Sequence, residues 1–319
     1  MKAACQWCDI SPQAHYQMLK RREQRLLIEA LVLAQVLEIR QELPRLGGRK
    51  LLYLLSDFLV KHDIAMGRDR FFNLLGRYGL LIHVKRKPTR TTFPGGIRSE
   101  NLLVSLDITR PNQVVVADIT YITTAKGFLY LALVTDLYSR KILGWDLSNS
   151  LSLEGALRAM KRAIQHIQAA GGQTKEMIHH SDHGVQYTSR DYQKLLRNAD
   201  IRSSMGAVGN AYDNAVAERV NGILKLEFLL DQRFPDTASA RKATAQAVAI
   251  YNAKRPHLSL NYQTPSQVYQ QALQRQKEGL AGIAEPPLKA PDLSRVDGSR
   301  LAAALDKAGA FKHYASCQP

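Results

Sequence analysis

Asp118, Asp182 and Glu218 are the residues of this 319-residue chain whose types and settings best suit chemistry. Asp118 stands in the middle of VVVADITYI (114–122), which reads as a strand. Val114, Val116, Asp118, Thr120 and Ile122 share one face and Val115, Ala117, Ile119 and Tyr121 the other, so the carboxylate falls on a mostly apolar surface. An ionised group there needs a cation, a hydrogen-bond cage or an opening to water. Asp182 sits in HHSDHGVQYTS, between a short strand and a helix, where open α/β sheets place their ligand sites. Glu218 lies in DNAVAERVNGILKLE, where Asn214, Glu218, Asn221 and Lys225 recur at helical spacing as one polar stripe opposite Val216, Val220 and Ile223. Glu227 falls on the apolar side, so the helix is expected to end or rotate there.

Three carboxylates at contact distance repel by about 4 kcal/mol per pair at an effective dielectric of about 20, so such a cluster calls for a divalent cation. All-oxygen ligands favour Mg2+ or Mn2+ over zinc or copper. A site with two such ions suits in-line displacement at a phosphodiester. One ion activates water or a sugar 3′-hydroxyl, and the other stabilises the departing oxygen.

The elements that would position the acids follow from periodicity and turn residues. VVVADITYI, FLYLALVTD and KILGWDLS, joined by turns at Lys126-Gly127 and at Tyr138 to Arg140, read as a three-stranded antiparallel meander. SLEGALRAMKRAIQHIQAA is an amphipathic helix; MIHH, SRDYQKLLRNAD, IRSSM and a helix from about Tyr212 complete the order βββαβαβα. Ahead of the strands, Ser11 and Pro12 are read as the N-cap and first residue of a helix ending at Lys20 to Arg22, the second of a helix-turn-helix. The stretch LLIEALVLAQVLEIRQEL follows as a long helix. RKLLYLLSDFLVKHD, a turn at Ile64 to Gly67, and RDRFFNLLGRYGLL form a second such unit.

A net charge of +16 points to a polyanionic partner, and residues 1–113 hold 19 Lys and Arg against 10 Asp and Glu. Cys5, Cys8 and Cys317 make no disulfide framework, and the Cys5/Cys8 pair lacks the further ligands of a zinc site. Without a span of ~20 apolar residues or a signal peptide, a soluble intracellular protein with no membrane partner is expected.

Other residues have plainer readings. Asp136 suits a turn cap or a pair with Arg140 better than a metal. Strand alternation points His179 and His180 to opposite faces, one packing and one polar near the site, with His183 toward DNA. Tyr187 lacks an activating cluster and suits stacking or a phosphate hydrogen bond rather than covalent catalysis. Asn210 and Asn214 suit loop and cap roles or a polar site contact. Arg255 and His257 of the RPH stretch either touch DNA or dock the C-terminal segment.

The stretches VVVADITYI, HHSDHGVQYTS, GNAYDNAVAERVNGILKLE and YNAKRPHLSLNYQTPSQVY, with thirty-five residues between Asp182 and Glu218 and a lysine seven after the glutamate, resemble the DDE transposases related to retroviral integrases. The resemblance is specifically to the OrfB product of the IS-three family of bacterial insertion sequences, over about residues 40 to 270. It implies an RNase H-like catalytic core, cleavage at element ends and joining of the freed 3′-hydroxyl to a new phosphate. It implies two metal ions held by Asp118, Asp182 and Glu218, with Lys225 on DNA near the scissile phosphate. Implied partners are the terminal inverted repeats and target DNA, further copies of the chain on paired ends, and an upstream-frame OrfA-type protein or fusion. A bacterial, nucleoid-associated cytoplasmic protein is expected. Arg219, Asn214, Tyr187 and His183 around the core and Lys85, Arg86 and Lys87 in the linker are further expected DNA contacts.

The fold class expected is α/β, an RNase H-like mixed sheet preceded by all-α modules. Residues 1–40 form a helix-turn-helix and connecting helix, 41–85 a second such module, 86–106 a basic linker and 107–230 the core. Residues 231–272 form a helical segment, and 273–319 a largely irregular tail. The rival class is a DNA-binding regulator of the element without catalysis; a general metal nuclease is disfavoured by the modules ahead of the core.

Overall fold

The computed structural model describes residues 7, 10–82, 101–103, 106–206 and 215–279, which fall into two compact units. The N-terminal unit is helical: α1 (Pro12–Glu42), α2 (Gly48–Leu54), α3 (Ser56–Lys61) and α4 (Arg68–Arg77). Ser11 caps α1 as expected, its Oγ accepting the Ala14 N–H at 3.0 Å. The expected boundary after Arg22 is absent, because α1 runs unbroken from Pro12 to Glu42 and no Gly or Pro interrupts it. Val32 and Val36 are buried on α1, and Phe71, Leu74 and Leu75 on α4. Glu29, also buried, joins the two helices by accepting from Arg77 Nη2 at 2.7 Å and Arg25 Nε at 3.0 Å. The helix expected from Arg49 divides at Leu55 into α2 and α3, where the Ser56 hydroxyl donates to the Tyr53 carbonyl at 2.7 Å.

The second unit holds a five-stranded mixed sheet: β1 (Val114–Thr124), β2 (Gly127–Asp136), β3 (Ile142–Ser148), β4 (Ile178–Ser181) and β5 (Arg202–Met205), in the order β3-β2-β1-β4-β5. β1, β2 and β3 form the expected antiparallel meander, and β4 and β5 add in parallel through helical crossovers. Helices α5 (Leu153–Ala169), α6 (Val185–Thr188) and α7 (Arg190–Asn198) lie between these strands, and α8 (Ala215–Glu227) follows. The single turn α6 was not anticipated. α9 (Thr237–Ala253), a 3-10 turn at Leu258–Leu260, and α10 (Pro265–Lys277) close the described chain, α10 running five residues past the expected boundary at 272. The fold class is the expected α/β core with a helical N-terminal region.

The two faces of the sheet are covered differently. Val115 and Ala117 of β1 join Ala132, Val134 and Leu143 under α5 and α7, whose Ala159, Met160, Ala163, Tyr192 and Leu196 complete one apolar core. Gly144 makes the approach of β3 to α5 possible, since a Cβ there would fall on the Ala159 carbonyl oxygen and the Ala163 nitrogen. On the other face α8 lies against β1 and β2. The outer edge of β3 is closed by α9, where Asn252 exchanges hydrogen bonds of 2.9 Å with both the N–H and the C=O of Ile142.

Candidate active site

The β1–β4 register pairs Val116 with His180, so two residues further along Asp118 and Asp182 reach the same level on neighbouring parallel strands, with the same parity and hence the same face. Asp118 is still inside β1, opposite Leu133 of β2, whereas Asp182 is the first residue past β4. Both are half-buried. The Asp182 carboxylate turns back to accept the Gly184 N–H at 3.1 Å, which shapes the loop leading into α6.

Asp118 has the partner its setting demands, and the partner is an amide. Asn221, buried on α8, donates from Nδ2 to Asp118 Oδ2 at 2.6 Å, while Asp118 Oδ1 accepts the Ile119 N–H at 2.9 Å. These bonds do not offset the surroundings. Burial first, then the negative charge of Asp182, push the Asp118 carboxyl up to about 7, with Glu218 adding least. Asn221 Oδ1 is itself buried with no hydrogen-bond partner among the described residues. Sequence reasoning placed Asn221 on the polar stripe but gave it no role; its position three after Glu218 on that stripe was the available signal.

Glu218 stands exposed in the first turn of α8. Among the described residues no three His, Cys, Asp or Glu side chains stand at the spacing that a metal ion requires. The structure therefore brings Asp118 and Asp182 together and leaves Glu218 at the rim. The pair of acids, carrying excess negative charge in a half-buried setting and offering only oxygen donors, fits a hard divalent cation.

Lys225, two turns beyond Glu218, is half-buried with its ammonium 4.0 Å above the Tyr121 ring. Burial lowers its pKa, an effect opposed by Asp118 and Asp231. Arg219 is exposed beside Glu218. Asn210, Asn214, Lys85, Arg86 and Lys87 lie outside the described residues.

Tyr187 is only 3% exposed, because α6 folds it under β4 against His179 and Tyr192, with ring centroids 5.7 and 5.3 Å away. His183 is buried as well, just ahead of that turn. His179 and His180 do point to opposite faces, and both are buried. His179 Nε2 meets the Tyr192 hydroxyl at 2.9 Å and His180 Nδ1 the Ser204 hydroxyl at 2.9 Å. Burial holds His179 far below the ordinary imidazole range, at about 3, so it is a neutral packing residue.

Asp136 caps the β2–β3 turn, accepting from the Ser139 N–H and Oγ–H at 2.7 and 2.6 Å and from the Asn112 N–H at 2.8 Å. Arg255 resolves the RPH question in favour of docking. It is 2% exposed and grips Glu227, the last residue of α8, through Nε and Nη2 at 2.7 and 2.8 Å. That fork accounts for a glutamate on the apolar side of the helix.

Two family profiles, both described as an integrase core domain, match residues 108–211 and 199–265. A protein of Mycobacterium tuberculosis named as the putative transposase for insertion sequence element IS986/IS6110 is 36% identical over 66% of this chain and 76% of its own length. The transposase InsF of insertion sequence IS3A from Escherichia coli is 32% identical over 79% of this chain and 83% of its own. Among solved structures, the HTLV-2 integrase catalytic core domain in complex with magnesium matches at a TM-score of 0.40 with 20% identity, over 50% of this chain and 97% of that one. The chain belongs to the IS3-type family of insertion-sequence transposases, whose catalytic region is an integrase core domain.

Proposed function

We propose that this chain is the DNA transposase of a bacterial insertion element, a polynucleotidyl transferase that cuts at the element ends and joins the freed 3′-hydroxyl to target DNA. The observation that carries this reading is the placement of Asp118 and Asp182 on adjacent parallel strands of an integrase core, with Glu218 on the helix whose Asn221 clamps Asp118. Asp118, Asp182 and Glu218 are the residues that would hold divalent metal, two Mg2+ or Mn2+ ions in our reading. The chemistry such ions supply when bound is activation of a hydroxyl nucleophile and stabilisation of the departing 3′-oxygen.

The protein's own groups prepare that chemistry. Asn221 fixes one oxygen of Asp118. Glu218, exposed at the rim, completes the acid set when DNA draws the first turn of α8 inward. The raised pKa of Asp118 means that its proton must leave before a cation is held, so loading strengthens as pH rises through about 7. Lys225 and Arg219, on the same helix, offer positive charge to the phosphates beside the reacting bond. The net charge of +16 draws both the element end and the target, and copies of the chain assemble on paired ends. An upstream-frame partner belongs to this proposal as well.

The test is strand nicking and joining with a labelled element end and Mg2+, comparing wild type with Glu218→Gln. Products fall by about a thousandfold or more in the variant while end binding survives. Equal products from the two proteins would overturn the assignment and favour a non-catalytic DNA-binding regulator.

A further inference from the structure

Away from the acids, where β2 ends and β1 and β4 begin, a cleft of about 740 Å³ opens between α5 and α10. Its floor is Lys141, buried at 7% exposure, whose ammonium lies 4.5 Å above the Tyr269 ring. Tyr269 is itself fixed, its hydroxyl donating to Asn112 Oδ1 at 2.9 Å, so the lysine is held in place rather than merely tethered. Among the described residues Lys141 Nζ has no hydrogen bond or ion pair. The nearest acid, Asp136, already accepts from the Ser139 N–H and hydroxyl and the Asn112 N–H. His166, on the α5 wall of the cleft, has a buried Nε2 that also lacks a hydrogen-bond partner among the described residues.

The cleft does not end there. A second, of about 490 Å³, adjoins it and shares Leu273 and Lys277 as lining residues. Lys277 bridges the two: a Cβ built on Gly171 would come within 3.2 Å of its Nζ, so the ammonium lies across the Gly171–Gly172 turn. Arg110 and Lys175 line the second cleft. Against these cations stand Glu278, which accepts from Gln274, and Glu176. The balance is positive, and Lys141 Nζ and His166 Nε2 are lining groups of the first cleft with hydrogen-bonding capacity unspent among the described residues.

We propose that this double cleft is a phosphate-binding site, separate from the acid pair, in which Lys141 and His166 Nε2–H donate to phosphate oxygens and Lys277 closes over them. A phosphate group suits the arrangement because it offers several acceptor oxygens to donors that converge from different elements, and its charge neutralises a lysine taken out of water. Burial lowers the pKa of both Lys141 and His166, and an anion between them relieves that strain. The same chemistry is available from the backbone of DNA bound across the core or from a free phosphate compound.

The test is calorimetric titration of the full-length chain with inorganic phosphate in chloride buffer without divalent metal, so catalysis by the acids has no part in the result. Saturable binding is expected in wild type, weakened roughly tenfold or more in Lys141→Met and His166→Phe. Lys277→Ala, at an exposed position that does not endanger folding, is expected to weaken it by a smaller factor. Repeating the titration on protein pre-bound to a short duplex distinguishes the sources. Loss of phosphate binding identifies the DNA backbone as the occupant, and its persistence identifies a free phosphate compound. Absence of saturation in wild type, or unchanged affinity in both Lys277→Ala and a folded Lys141→Met, would overturn the proposal.

Discussion

The two faces of β1 are built from the same strand and held by different physics. Val115 and Ala117 look into a closed apolar layer under α5 and α7, where burial of aliphatic area stabilises the unit. Asp118 and Thr120, one residue out of phase, look toward α8 and are half-exposed, and there a carboxylate is kept beside another carboxylate at a cost in stability. One face thus makes the fold stable enough to carry the strain of the other, a division seen at many functional sites.

The largest expected effect comes from removing the charge on the strained face. Asp118→Asn lowers strand transfer by at least about a thousandfold, yet makes the metal-free protein more stable above neutral pH. The sign follows from the pKa, raised from 3.8 to about 7 in the folded state. Between those values the folded protein keeps a proton that the unfolded chain has released. Stability therefore declines as pH rises through this window, and the penalty is complete above about 7. The amide of the variant does not titrate, so melting temperatures measured with chelator present should diverge from wild type as pH increases; parallel curves would break the comparison.

A substitution on the packing face should do the reverse. Gly144→Ala forces a methyl onto the backbone of α5 and is expected to cost about 3 kcal/mol or more, read as a lower midpoint in denaturant unfolding. Activity per folded molecule should stay near wild type, since the acids are untouched. A variant that keeps its stability would show that β3 and α5 are not so closely seated.

Asn221→Ala sharpens the boundary between the faces and has the smallest effect of the three. Losing one hydrogen bond to a charged group costs roughly 1 to 3 kcal/mol of orientation at the site, so turnover falls roughly tenfold. With that donor gone the Asp118 pKa climbs further, and the pH profile of metal-dependent activity moves to higher pH. A drop in rate with an unmoved profile would assign Asn221 to packing alone.

Much of the core was legible because alternation and helical spacing are local properties. The meander, the amphipathic α5, the βββαβαβα order and the placement of Asp118, Asp182 and Glu218 on three different elements all follow from patterns a few residues long. What was not legible depends on contacts between remote segments. The extra turn α6, which packs Tyr187 against His179, has no local signal in HHSDHGVQYTS, nor has the burial of His183. The helix carrying Glu218 does end at Glu227 as expected, but the fork that Arg255 supplies to it from twenty-eight residues on has no local signal.

The amino-acid sequence by itself determined which elements form and which residues each strand and helix turns to a common side, since these depend on backbone periods of two and 3.6. Only the tertiary structure decided who meets whom. Asn221 on Asp118, Arg255 on Glu227 and Lys141 over Tyr269 are contacts between segments remote in the chain. Their geometry comes from the packing of helices on the sheet, for which no local pattern carries a signal.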